Sequence, residues 1–343
     1  MGRALRLAGR FACFTLAVTL YLFAAACGKP SAPAPPPAST PAPAPSTPPA
    51  RGPVKIEMHD VQLHVDDGIV LHIARLRGDM VPVKPGHPPV FDDQRSYVLR
   101  VADAELSLDM ASLTVLLNQH VFGYENAPLT DITVTVEDGR LKQKGKLHKG
   151  VTVPFSLEAT VSATDDGRLR LHTESVSALG LPAKKLLDLF GVSLDDVVKI
   201  KEQRGVEIAG DDIVIDAGRV LPPPAIEGRL TRVELVNGAL HQTFGTPGQA
   251  PNAPLAPAET RARHYVYFSG NELRFGKLLM SDADLQLIDV DDRDPFDFFP
   301  AKYLTQLVAG YSKNTPSGGL RTYMPDYNDV TPTTDLRPAR PHR

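Results

Sequence analysis

The sequence predicts an α+β protein that is mostly β, an antiparallel meander of long hairpins with few helices. Three observations carry that expectation. From residue 54 onward apolar residues recur at every second position, and the cleanest run is Val151, Val153, Phe155, Leu157, Ala159, Val161 and Ala163. Strict alternation of this kind defines a long strand with one buried face, because successive side chains of a strand point to opposite sides. Between the alternating segments stand Asp67-Gly68, Asp138-Gly139, Asp166-Gly167 and Asn237-Gly238, pairs that supply the positive φ angles of hairpin turns. Segments with helical spacing are only three. Glu137-Asp-Gly-Arg-Leu141 and Asp165-Asp-Gly-Arg-Leu169 nearly repeat one another, as two hairpins of one meander would.

In chain order, the first element is an apolar run from Phe11 to Ala26, which follows Arg3, Arg6 and Arg10 and ends in Ala24-Ala25-Ala26-Cys27. Its 16 residues fall short of the roughly 20 that span a bilayer comfortably. The charged start, the apolar stretch and the small residues resemble a bacterial lipoprotein signal with its lipobox. The resemblance implies removal of a signal peptide, residues 1–26, and acylation of Cys27, which would anchor the chain to a membrane and incorporate palmitate. Two alternatives stay open: an uncleaved anchor helix, and a cleaved secretory peptide without lipid, since Ala24-x-Ala26 also suits a signal peptidase. Cys13 lies inside the signal and Cys27 is the only other cysteine, so the mature chain has no disulfide, no redox pair and no cysteine-ligated metal. Loss of residues 1–26 removes three arginines and no acid, taking the net charge from −3 to −6. No basic run with interleaved aromatics points to nucleic acid.

Residues 27–53 form the lipidated cysteine and a linker, in which positions 30–53 hold 11 prolines among Ala, Ser and Thr. That composition makes a semi-rigid polyproline spacer. At about 3.1 Å per residue it reaches up to about 70 Å from the bilayer. Gly28 rather than Asp follows Cys27; similarity to known sorting rules favours the periplasmic face of the outer membrane if the cell has two membranes.

The β domain is expected over 54–245. Val54, Ile56 and Met58 alternate, the phase slips near Asp60, and Val61, Leu63 and Val65 resume, a pattern that predicts a bulge. Further strands are marked by Leu106 and Leu108, by Ile132, Val134 and Val136, by Leu169 and Leu171, by Ile213 and Ile215, and by Val233 and Leu235. Asp109 is a good N-cap for a helix carrying Met110, Leu113, Leu117 and Val121 on one stripe. Pro182 opens a second helix with Leu186, Leu187 and Phe190 inward and Gly191 as its cap, and Ser193 to Ile200 adds a short turn. An Ala/Pro-rich connector, 246–258, leads to C-terminal strands and a helix over 259–330, packed on the same domain. Arg263 to Phe268, Leu273 to Leu279 and Ala283 to Asp289 read as strands, with Gly270-Asn271 turning the first pair. Phe296, Phe299, Tyr303, Leu307 and Tyr311 follow helical spacing, which predicts a helix over 299–311 docked on the sheet; an aromatic gate using Phe298 is the functional alternative. Residues 331–343 read as a disordered tail.

The segment Leu108-Asp-Met-Ala-Ser-Leu-Thr-Val-Leu-Leu-Asn118, the strand Val151 to Val161, the turn Asp166-Gly-Arg-Leu-Arg-Leu171, and Leu179-Gly-Leu-Pro182 leading into Leu186-Leu-Asp-Leu-Phe190 together resemble the LmeA-like family of exported lipid-binding proteins. That family is similar to tubular lipid-binding (TULIP) domains. The resemblance covers roughly residues 95–245 and rests on order and pattern. It implies a long curved antiparallel sheet wrapped around one or two helices, here with extra C-terminal strands and a helix, and an apolar tunnel for a phospholipid or other acyl lipid. Leu113, Leu117, Phe155, Leu157, Val161, Leu186 and Phe190 are the candidate lipid-binding residues. The chain departs from the family in a strand pair before residue 80, an insertion from Gly78 to Gln94, and the part after Gly245.

Catalytic words are missing: no G-x-S-x-G elbow, no H-E-x-x-H helix, no P-loop and no GxGxxG after a strand. The chain reads as a non-enzyme without cofactor or metal. His59, His64 and His72 lie on neighbouring strands and read as solvent-face residues. Asp289, Asp291, Asp292, Asp294 and Asp297 lack the EF-hand's glycine and glutamate and read as a solvated loop. The favoured function is an envelope lipoprotein that binds or carries a lipid. A structural or partner-binding surface lipoprotein, recognising an envelope protein, is the second reading, and a hydrolase with an unrecognised site the third.

Overall fold

Turn chemistry sets the connections of the computed structural model, which describes residues 52–149, 151–178, 181–182, 205–250, 253–255 and 262–330. Cys27, the linker up to residue 51, residues 183–200 of the expected helices with Leu186 and Phe190, and the tail 331–343 lie outside the described residues, whereas Pro182, expected to open a helix, pairs as a strand residue with Ser177. Asp138 and Gly139 have φ of 50° and 72°, and Asn237 and Gly238 have 50° and 75°. Two successive left-handed residues match the twist of the strands they join. Gly68 and Gly167, with φ of 77° and 86°, close two further hairpins.

The class is mostly β, as the alternation predicts, with its strands divided between two large sheets. In chain order, β1 (Val54–Asp66), β2 (Ile69–Pro82) and β3 (Tyr97–Asp109) open the first sheet, and α1 (Met110–Leu116) follows directly. The second sheet holds β4 (Leu129–Glu137), β5 (Arg140–Lys149), β6 (Val151–Ala163), β7 (Leu169–Ala178), β8 (Leu181–Pro182), β9 (Val206–Ala209) and β10 (Asp212–Ile215). It runs β4-β5-β6-β7-β10-β9, with β8 beside β7. After the short helix α2 (Ala217–Val220), the chain returns to the first sheet with β11 (Ala225–Glu227), β12 (Leu230–Val236), β13 (Ala239–Phe244) and β14 (Tyr265–Ser269). A small hairpin, β15 (Leu273–Phe275) and β16 (Leu278–Met280), stands apart. Then come β17 (Asp284–Asp289), β18 (Phe296–Phe298), α3 (Tyr303–Ala309), β19 (Tyr311–Asn314) and β20 (Leu320–Met324). The first sheet reads β12-β13-β3-β2-β1-β14-β17-β20-β19, with β11 parallel to β3 and β18 parallel to β1.

The slip at Asp60 is resolved differently from the expected bulge. Pairing of β1 with β2 keeps one register from Val54↔Met80 to His64↔Val70 and shifts only between His64 and Asp66. Asp60 instead takes φ 52°, which resets the alternation so that Met58 and Val61, three residues apart, are both buried. Aspartate tolerates this left-handed conformation better than a branched residue would. It also marks a change of partner: β1 pairs with β14 as far as His59↔Tyr265 and with β18 from Val61↔Phe296.

Asp109 caps α1 as expected, its carboxylate accepting the Ser112 N–H at 2.6 Å. The helix then widens into a π turn over Leu117–Val121. It packs on β2 and β3 of one sheet and β4 of the other. Asn118 pairs with β4 as a strand residue would: its Nδ2 donates to the Ile132 carbonyl at 2.8 Å, and its Oδ1 accepts the Ile132 N–H at 3.0 Å. The Thr114 hydroxyl accepts the Val134 N–H at 3.0 Å. These side chains satisfy backbone groups of an edge strand that would otherwise be open to another chain.

Three C-terminal expectations are corrected. Leu273 to Leu279 is not one strand, because Gly276 at φ 57° folds it into the β15–β16 hairpin. Gly270-Asn271 does turn the chain, but β14 pairs with β1 and β17 and not with the strand that follows. The helix of 299–311 is confined to a 3-10 turn at Pro300–Lys302 and α3. Phe296 and Phe298 lie on β18 and Tyr311 on β19. Buried Gln306 of α3 ties the segments on either side, donating to the carbonyls of Asp297 and Pro325 at 2.9 Å and accepting the Phe299 N–H at 3.1 Å.

Two strands of the first sheet also approach closely at Gly78, where β2 shifts register against β3 between Arg77 and Gly78. A Cβ there would come within 2.3 Å of the Arg100 carbonyl oxygen. Gly78→Ala should therefore cost about 1–3 kcal/mol of stability by overpacking, read as a lower urea midpoint of the full chain with an unchanged slope; an unchanged midpoint would refute the account.

Candidate functional site: an apolar cavity between the sheets

The inward faces of β2 and β3 and those of β5, β6 and β7 do not meet completely. Between them lies a cavity of about 290 Å³, near the lower end of the roughly 300–1,000 Å³ of small-molecule sites. Leu71, Ile73 and Leu76 of β2 and Leu99, Val101, Leu106 and Leu108 of β3 form one wall. Leu141, Leu147, Phe155, Leu157, Leu169 and Leu171 form the opposite one, and Leu113, Leu116, Leu117, Val121 and Phe122 close it from the helix. Leu240 and Phe244 of β13, Ile213 and Ile215 of β10, the segment Val220 to Ile226, and Met58, Leu63 and Val65 of β1 also line it.

Strand periodicity explains who points inward. On β7, Leu169, Leu171 and Thr173 alternate, and then Val176 and Ala178 take over with the opposite parity. The change falls where β6 and β7 shift register, Glu158 facing Ser175 while Ala159 faces Thr173, so Glu174 is the extra residue of a bulge. Among the described lining residues only Gln143, Thr173 and Gln242 have polar side chains, and none is charged. A surface of this kind accepts hydrocarbon and rejects an unpaired ion, whose desolvation nothing in the wall would offset.

Of the residues expected to bind lipid, Leu113, Leu117, Phe155 and Leu157 line this one cavity. Val161 does not; it is half-buried and packs into the surrounding core. Val151, the start of the same alternation, is 62% exposed, because the strand runs beyond the core. The lining residues of β2, β3, β13 and the Val220 to Ile226 segment were not among those expected to bind lipid. Alternation is visible in the sequence, but it does not say which apolar face meets which. The aromatic gate is overturned. None of Phe296, Phe298, Phe299, Tyr303 and Tyr311 lines the cavity. Phe298 is buried with its ring 5.2 Å from Phe296 and 6.0 Å from Phe91, and Phe91 from the Gly78 to Gln94 insertion also meets Phe268, Phe275 and Tyr303.

The titratable groups among the described residues lie outside this lining. His59 stacks on Tyr265 and its Nδ1 lies 2.6 Å from the Arg263 carbonyl. His72 lies 3.6 Å from Asp60, which His264 also faces at 2.8 Å. His64 is not on a solvent face: its side chain is 12% exposed, pairs with Asp297 and stacks on Phe299 at 5.1 Å. The acidic stretch is solvated only in its middle, where Arg293 holds Asp291 well below the usual carboxylate range. Asp289 and Asp297 are buried. Asp297 accepts the Asn328 N–H at 3.1 Å, and its own N–H donates to Asp326 at 2.7 Å. Among the described residues no three His, Cys, Asp or Glu side chains are grouped to hold a metal, and no helix is long and apolar enough to cross a membrane.

No family model matches the chain, and no curated protein or solved structure matches it either.

Burial pushes the Asp289 carboxyl up to about 7, and burial, with repulsion from Asp297, pushes Asp326 up to about 6. The folded chain thus holds these protons more tightly than the unfolded chain, whose ordinary value is 3.8. The resulting stability is fully present below pH 3.8 and is lost as pH rises through 6 and 7. Asp289→Asn keeps the acceptor for the Asp291 N–H and removes the buried charge. It should stabilise the protein at pH 8 by on the order of 2 kcal/mol and have little effect near about pH 3, below the unfolded value of 3.8, as measured by thermal melts across that range. Equal effects at both pH values would exclude a buried carboxylate as the cause.

Proposed function

We propose that this chain is an envelope lipoprotein that binds or carries an acyl lipid in the cavity between its two sheets, in the manner of the LmeA-like and TULIP proteins its sequence resembles. The cavity's lining carries the reading: three uncharged polar side chains stand in a wall that is otherwise apolar. An acyl chain gains by leaving water for such a wall at about 0.8 kcal/mol per buried methylene, whereas a substrate with an ionised reacting group would lose there. The brief contribution of helix to the interior supports the same reading, because leucines of α1 and its π turn face the cavity and leave room for a flexible chain. A scaffold serving only a protein partner would gain nothing from an unfilled interior, since filling it would stabilise the fold.

The decisive comparison uses three substitutions. In a close-packed core, Phe268→Ala should cost about 3–5 kcal/mol, because Phe268 is fully buried. Leu157→Ala borders the cavity and should cost less than the roughly 2–5 kcal/mol of a core leucine, while Leu157→Asp should abolish bound lipid. Native mass spectrometry and solvent extraction of the purified chain read lipid occupancy, and urea denaturation reads stability. A large stability loss for Leu157→Ala in a protein that never carries lipid would leave the scaffold reading standing and end this one.

Anchoring is tested separately. Acylation needs the Cys27 thiol, so Cys27→Ser should abolish palmitate incorporation and leave the precursor uncut by the lipoprotein peptidase. Undiminished labelling of that variant would remove the lipidation.

A further inference from the structure

We infer that the β15–β16 hairpin is a membrane-contacting tip whose Leu278 and Leu279 enter the interfacial layer of a lipid bilayer. The inference rests on the reading above that the N-terminal segment holds the chain at a membrane. The hairpin belongs to neither large sheet. Its first strand is rooted: Leu273 and Phe275 are buried, and Phe275 meets Phe91 at 4.8 Å and Tyr303 at 4.9 Å. Its second strand faces outward, with Leu278 45% and Leu279 48% exposed.

Successive strand residues point to opposite sides, so both faces of this strand present a leucine to solvent. A protein groove would cover one face of so short a strand, whereas the interfacial layer of a bilayer surrounds both. Arg274 and Lys277 are exposed beside the leucines, and their long stems allow the charged heads to stay among lipid headgroups while the leucines go deeper. Acids are present as well: Asp92 accepts the Gly276 N–H at 3.2 Å, and Glu272 and Asp282 flank the hairpin in sequence. Neither sign of charge dominates, so the contact is apolar and does not require anionic lipid.

The position of the tip relative to the chain's entry supports this occupant. The Asn271 side chain, two residues before β15, donates to the Pro53 carbonyl at 2.8 Å. The 51 residues that precede Gly52, with the apolar run of 11–26 among them, therefore join the described chain at the base of this hairpin. The end of the described chain that continues into the segment read as the membrane anchor is thus the end that carries this hairpin.

The chain has no tryptophan, so Leu278→Trp installs a single reporter at an exposed position. Val236→Trp is the control. Val236 is 39% exposed beside the turn at the other end of the first sheet, where Ala239 pairs with Asp109, the last residue of β3. Each full-length variant is reconstituted with phosphatidylcholine vesicles, with and without brominated acyl chains, and pelleted. The indole of the Leu278→Trp variant should shift to the blue and lose emission to the brominated lipid, while that of the Val236→Trp variant keeps its emission. A Leu278→Trp variant that pellets unquenched, or equal quenching of the two variants, overturns the inference. A chain left in the supernatant overturns the tether and the tip contact together. Lipid carried per chain, weighed by mass spectrometry on the same preparation, reports on the cavity independently, so that a quenched Leu278→Trp variant with no bound lipid would keep the tip and lose the carrier.

Discussion

The apolar stripes of β2 and β3 must find those of β5, β6 and β7, and a helix stands in the way. Sheets that pack directly lie about 10 Å apart, a distance that side chains fill. A helix interposed between them is itself about 10 Å across and holds them further apart. The seven residues of α1 extend about 10 Å, whereas the 14 residues of β2 extend about 45 Å. The spacer is shorter than the walls. Among the described elements the remainder of the gap is bounded by leucines on both sides without being filled by them, and this mismatch of lengths produces the cavity.

Holding a helix at that position requires polar contacts as well as apolar ones. Asp109 ends one strand and caps the helix in the same residue, so the direction of α1 is set by the end of β3. Asn118 and Thr114 then bind the backbone of β4. Each bond contributes only about 1 kcal/mol net, but leaving those strand groups unpaired would cost more. Glu57 of β1 in the first sheet is held in the same way. Glu57 is 4% exposed, and its carboxylate accepts from the Tyr265 hydroxyl and the Leu255 N–H, both at 2.6 Å, with Arg77 at 3.4 Å. A buried charge is tolerable there because it is paired and hydrogen-bonded.

The best-packed aromatic cluster and the cavity lie in different parts of the molecule. The aromatic rings of Phe91, Phe268, Phe275, Phe298 and Tyr303 interlock, and they sit where the C-terminal strands extend the first sheet. Buried Asp289 and half-buried Asp326, at the same end of the chain, oppose folding by a modest amount at neutral pH.

Local rules were legible in the sequence. The hairpin dipeptides, the odd-position stripe of β6, the Asp109 cap and four of the cavity residues follow from φ preferences and side-chain periods, which need only near neighbours. What depends on distant partners was not. His64 meets Asp297 across 233 positions, β17 lies parallel to β20, and Asp60 becomes left-handed because β1 changes partner there. Val161 shares its stripe with Leu157 yet packs into core, and Phe298 fits a gate by composition yet lies in an aromatic cluster. Alternation determines that a strand has an apolar face; only the tertiary structure decides whether that face meets other side chains or a gap, because the spacing is set by the elements placed between the sheets.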